Sequence, residues 1–142
     1  MKVMAILVFM LGILALVVGP QSRTRTDREQ NVAMNFIQYR QAVMAHVLNH
    51  PNMNGVVNIA SLTLPAGWQR LRDWQARVSQ HRLYIWGTAS RAEAQSVREK
   101  LFNSWSPGHS EQGILQPLHD GVSIQLPQFI PDGCVVSLLS LE

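Results

Sequence analysis

The chain has 142 residues, a formal net charge of +3, only 15% charged side chains, 46% hydrophobic ones and a single cysteine. With roughly 20 residues taken by an apolar run at the start, the remainder makes one domain of about 110 residues, large enough to bury a core without metal or disulfide staples. One cysteine, Cys134, rules out an internal disulfide and a thiolate metal cage, and the arginines are not massed with aromatics on one element as a nucleic-acid partner would require.

Residues 1–21 read as a transmembrane anchor. Val3 to Gly19 carries no charged or strongly polar side chain. As a helix it covers about 25 Å, slightly short of a hydrocarbon core of about 30 Å, and flanking residues or local thinning make up the difference. A cleaved secretory signal, the alternative, needs a small-x-small site. Only "VVG" before Pro20 offers one, and a proline after the scissile bond disfavours cleavage. No cysteine follows, so the run is not a lipoprotein signal. Lys2 faces Arg23, Arg25 and Arg28 across the run, and that count leans toward a cytoplasmic C-terminal side.

Residues 22–50 continue the anchor as an amphipathic helix. From Asp27 to Asn49, Val32, Phe36, Tyr39, Val43 and Val47 recur at spacings of three or four, and Ala33, Ile37 and Met44 widen the stripe. Pro51 and Gly55 stop it. Residues 51–142 form the domain proper. "GVVNIASLTLP" has strand character, while Trp68, Leu71, Gln75 and Val78 in "PAGWQRLRDWQARVSQ" predict a short helix. "HRLYIWG" is a strand with Leu83 and Ile85 on one side and Tyr84 and Trp86 on the other. Ser90 and Glu93 form a capping box, followed by a helix lined by Ala94, Val97, Leu101 and Trp105 and ended by "SPGH". In the last third, Asp120-Gly121 predicts a type I′ hairpin within "GILQPLHDGVSIQLP", Pro131-Asp132-Gly133 a tight turn, and Val135 to Leu141 a final strand. The fold class is α+β: a transmembrane helix leading to a small domain whose helices pack on a mostly antiparallel sheet.

Little in this pattern carries chemistry. His46 and His50 are four apart on a helix, but "HVLNH" lacks the glutamate of the zinc-protease motif and no third ligand stands out. His81, His109 and His119-Asp120 have no serine on a strained elbow to complete a triad, and Asp120 reads as a turn residue. No phosphate loop or dinucleotide fingerprint is present, so no cofactor is expected. The tryptophans at 68, 74, 86 and 105 read chiefly as core fillers, with a ligand-stacking patch as the competing reading. "CVVSLLSLE", apolar on both alternating sets, is either a central strand or part of a partner interface. A non-enzymatic module acting through protein contacts follows, with Val32, Phe36, Tyr39, Val43, Val136 and Leu138 as candidate interface residues.

Several stretches in order resemble one family, the PilM proteins of type IVB pilus systems found with thin-pilus genes of conjugative plasmids. They are the short N-terminal anchor, "NFIQYRQAVMAHVLNHP", "GVVNIASLTLPAGW", "RLYIWG" and "IPDGCVVSLLSLE". The resemblance implies a single-pass inner-membrane protein with a periplasmic domain, in the pilin transport apparatus or pilus basal body, whose partners are other pilus-assembly proteins. On sidedness it disagrees with the positive-charge count. It implies no catalytic residues, and makes Tyr39, Arg40, Pro131, Asp132 and Gly133 structural positions. The actin-like PilM of type IVA pili shares only the name, and this chain is too short for an actin fold. The layout is also similar to that of type IV pilins, but the glutamate expected at the fifth position of a prepilin's apolar run is missing. A secreted or periplasmic ligand-binding module with a cleaved signal is the alternative function.

Overall fold

The computed structural model describes residues 2–101, 107–117 and 121–141, with side chains from residue 24 onward. One helix, α1, runs Lys2–Leu48 without a break at Gly19-Pro20 or at the polar stretch after it. Its C-terminal half belongs to the domain. Val32, Ala33, Phe36, Ile37, Tyr39, Val43 and Val47 are all buried, so the stripe read from the sequence is the face laid on the sheet.

The strands are β1 (Gly55–Val56), β2 (Gln75–Ser79), β3 (Arg82–Thr88), β4 (Pro107–Glu111), β5 (Ile114–Pro117), β6 (Ile124–Gln125) and β7 (Cys134–Ser140). A second helix, α2 (Arg91–Lys100), connects β3 to β4. Among the described residues the two helices pack on a seven-stranded sheet of order β1-β2-β3-β7-β4-β5-β6, with every pairing antiparallel. The last strand thus inserts at the centre, its seven residues paired with all seven of β3 from Arg82↔Ser140 to Thr88↔Cys134. That decides the character of "CVVSLLS": it is a central strand, apolar on both sets because both faces are covered.

Each face has its own core. Leu83, Ile85 and Val135 join Ala76 and Val78 of β2 beneath α1 and α2. Tyr84, Trp86, Cys134 and Val136 point the other way, under Leu126, Phe129 and Ile130 of the segment that follows β6. Arg77, on this second face, lays its guanidinium 4.7 Å from the Phe129 ring centroid. Gly87 lacks a side chain for a reason: a Cβ there would lie 2.2 Å from Cε3 of Trp74, whose indole meets Phe36 edge-on at 5.0 Å.

Helix α2 starts as expected. Glu93 N donates to Ser90 Oγ at 3.1 Å, Ser90 N donates to Glu93 Oε2 at 2.8 Å, and Ala94 and Val97 are buried. Trp105 lies outside the described residues.

Three expectations need correction, and one hairpin is added. "GVVNIASLTLP" contributes only two strand residues and then a 3₁₀ turn, Ile59–Ser61, because the Asn58 side chain caps that turn by accepting from Ala60 N at 2.9 Å. No helix forms around Trp68 to Val78. Residues 75–79 are strand β2, held because each pairs with β3 across a tight turn while Ala76 and Val78 alternate into the core. In that turn Gln80 and His81 both take positive φ, 52° and 60°. Pro107, Gly108 and His109 are not a helix stop but the start of β4; α2 ends at Lys100. Gly108 is needed there, since a Cβ would come within 2.6 Å of Leu115 Cδ1 and 2.7 Å of the Gln116 carbonyl. Finally, a hairpin the sequence reading lacked joins β4 to β5 through Gln112-Gly113, with φ of 53° and 71° as a type I′ turn requires.

β5 and β6 pair antiparallel, Ile114↔Gln125 and Leu115↔Ile124, on either side of Asp120-Gly121, while the type I′ turn expected there falls partly on residues 118–120, outside the described residues. The Pro131-Asp132-Gly133 turn is there too, with Gly133 at φ 78°. It is fastened to the β4–β5 hairpin: Gly113 N donates to Asp132 Oδ1 at 2.9 Å, and buried Ser110 donates to the Pro131 carbonyl at 2.8 Å while accepting from Cys134 N at 2.9 Å.

Candidate functional site

The residues singled out for a partner interface are mostly taken up by the domain itself. Val32, Phe36, Tyr39 and Val43 face the sheet, Val136 is fully buried under Phe129 and Ile130, and Leu138 is half-buried beside them. A 3.6-residue stripe marks a buried face and does not say what buries it.

The histidines do not converge. His46 and His50 stack at 4.4 Å between ring centroids, and His50 Nδ1 lies 2.8 Å from the His46 carbonyl, an interaction local to the helix end. His109 Nε2 bonds the Ala89 carbonyl at 3.1 Å, and His81 serves the β2–β3 turn. His119 and Asp120 lie outside the described residues. Among the described residues no three potential metal ligands group together. Cys134 is buried between β-strands, and burial pushes its thiol up from its ordinary pKa, against the hydrogen bonds from Ser110 and Thr88. Trp74 and Trp86 are buried and Trp68 half-buried, so none of the three presents an open stacking platform.

The structure instead builds a cleft at the β1 edge of the sheet, and its wall depends on one polar residue of α1. Asn35 is buried in the middle of an otherwise apolar face. Its Nδ2 donates to the Gln69 carbonyl at 2.8 Å, and its Oδ1 accepts from Leu71 N at 3.1 Å and from Trp74 Nε1 at 2.7 Å. Trp68 Nε1 donates to the Asn35 main-chain carbonyl at 3.4 Å. An irregular segment has no ladder to satisfy its backbone, so a side-chain amide with a donor and an acceptor substitutes for one. Arg72 then ties the same segment to α2 through Glu93 at 2.7 Å.

Held in this way, Arg70 and Trp74 to Ala76 line a cleft of about 410 Å³ together with Val56 to Ile59 and Tyr39. The Tyr39 ring stacks on Trp68 at 6.3 Å and its hydroxyl makes no hydrogen bond to a described residue. Burial, moderated by nearby Arg70 and reinforced by Asp73, pushes its pKa up to about 12, so it remains a neutral O–H donor at physiological pH. Arg70 Nη2 donates to Asp73 Oδ1 and, at 2.6 Å, to the Trp74 carbonyl, while Gln75 Nε2 donates to Asp73 Oδ2 at 2.9 Å. The carboxylate is occupied from both sides; the arginine is not. Deeper under α1, Arg40 donates from Nε to buried Ser137 Oγ at 2.9 Å, and burial lowers its pKa.

Of the cleft residues, Tyr39 and Trp74 stood out in the sequence only as core positions and Gln75 only as part of an expected helical stripe. Arg70 and Asn58 sit on a loop and a cap, with no periodic or motif signal to join them to the rest.

Comparison with known proteins gives two findings. A family model described as PilM matches residues 6–138. The crystal structure of a protein PilM from Escherichia coli B7A is similar, with a TM-score of 0.63 and 26% identity, over 81% of this chain and 94% of that one. No curated protein matches.

Proposed function

The chain belongs to the PilM family, and on that premise we propose that it is a non-enzymatic, inner-membrane-tethered component of type IVB pilus assembly, part of the pilin transport apparatus or basal body. Its domain stands in the periplasm and acts through contacts with other pilus-assembly proteins. The observation that carries this reading is helix α1. One continuous helix begins with the uncharged run of residues 3–19 and ends as the central helix of the domain core. Between them, residues 24–31 are exposed except for half-buried Glu29, as expected of a stalk that leaves the domain before reaching a bilayer. Among the described residues no helix is long and apolar enough to cross a membrane, and the side chains of residues 3–19 lie outside that statement.

Fusing alkaline phosphatase after Gln30, with a parallel green fluorescent fusion, tests sidedness. An active phosphatase and a dark fluorescent fusion support the periplasmic domain, and the reverse pattern refutes it. Carbonate extraction tests the tether: release of the full-length protein into the supernatant contradicts it. A mature chain starting near Pro20 or Gln21 on N-terminal sequencing would point instead to a free periplasmic module. Photo-crosslinking in cells from exposed Met34 or Leu71 would trap the partner, whereas Tyr39 and Val136 are too buried to reach one.

A further inference from the structure

We draw no further inference here: the strongest candidate, the small apolar groove between the last turn of α1 and the ends of β3 and β7, lined by Met44, Leu48, Leu83 and Leu139 among others, is an unpartnered surface, and nothing in the structure shows what covers it.

Discussion

Replacing Asn35 by alanine tests the claim that one side-chain amide holds the segment from Gln69 to Trp74. The substitution removes three hydrogen bonds. The Trp74 indole N–H is the most expensive to orphan. Trp74 is 1% exposed, and an unsatisfied buried donor costs about 2 kcal/mol. Leu71, 46% exposed, leaves its amide within reach of water, so that loss is about 1 kcal/mol, and the exposed Gln69 carbonyl adds little. Alanine recovers about 0.5 kcal/mol of helix propensity in α1. The net expectation is a destabilisation of about 2–3 kcal/mol, which for a domain of this size lowers Tm by about 10–15 °C. Urea unfolding followed by tryptophan fluorescence gives the free energy. Hydrogen exchange at the Trp74 indole gives the local effect, which should accelerate by more than the global loss of stability requires. A change below about 1 kcal/mol with an indole still protected would show that the segment is held by its apolar contacts, and the reasoning about the amide would be wrong.

Three further substitutions probe other joints. Gly87→Ala drives a methyl group to 2.2 Å from the Trp74 ring and 3.0 Å from the Asp73 carbonyl, so equilibrium unfolding should show a loss of about 3 kcal/mol; a neutral result would mean that the indole moves freely. Ser90→Ala removes half of the α2 capping box and should lower stability by about 1 kcal/mol in the same measurement. Tyr39 ionises only near pH 12 in the folded state against about 10 when unfolded, so the folded state holds this proton more tightly. Its contribution is fully present below about pH 10 and is lost as pH rises toward 12, a total on the order of 3 kcal/mol. Tyr39→Phe should therefore flatten the alkaline fall in stability over that interval, and parallel profiles for the two proteins would refute the assigned burial.

The elements that were legible are those whose signal is periodic or strictly local. The α1 stripe, the division of β3 into Leu83 and Ile85 against Tyr84 and Trp86, and the Ser90–Glu93 box each depend on residues within one or two turns. Strand β2 was not legible because Gln75–Ser79 has only two buried apolar positions, Ala76 and Val78, too few to separate a period of two from a period of 3.6. Its state is imposed by pairing with β3, through a turn whose Gln80 and His81 lack the usual glycine. The β4–β5 hairpin escaped notice for a related reason: Pro107-Gly108 resembles a helix stop, and only the approach of Leu115 explains the glycine. The candidate cleft was hidden further still. Tyr39 reads as one more member of an apolar stripe, and Asn35 as a polar interruption of it.

The sequence by itself determined the class of the fold, the apolar run at the start and the buried face of α1, because periodicity and composition act between chain neighbours; the resemblance to PilM proteins rests separately on the quoted stretches and the family match over residues 6–138. Tertiary structure alone decided that β7 enters the centre of the sheet, that the stripe is consumed by the domain's own core, and that Tyr39, Asn58 and Arg70 share a cleft. These facts depend on which distant segments meet, and no pattern between chain neighbours encodes that.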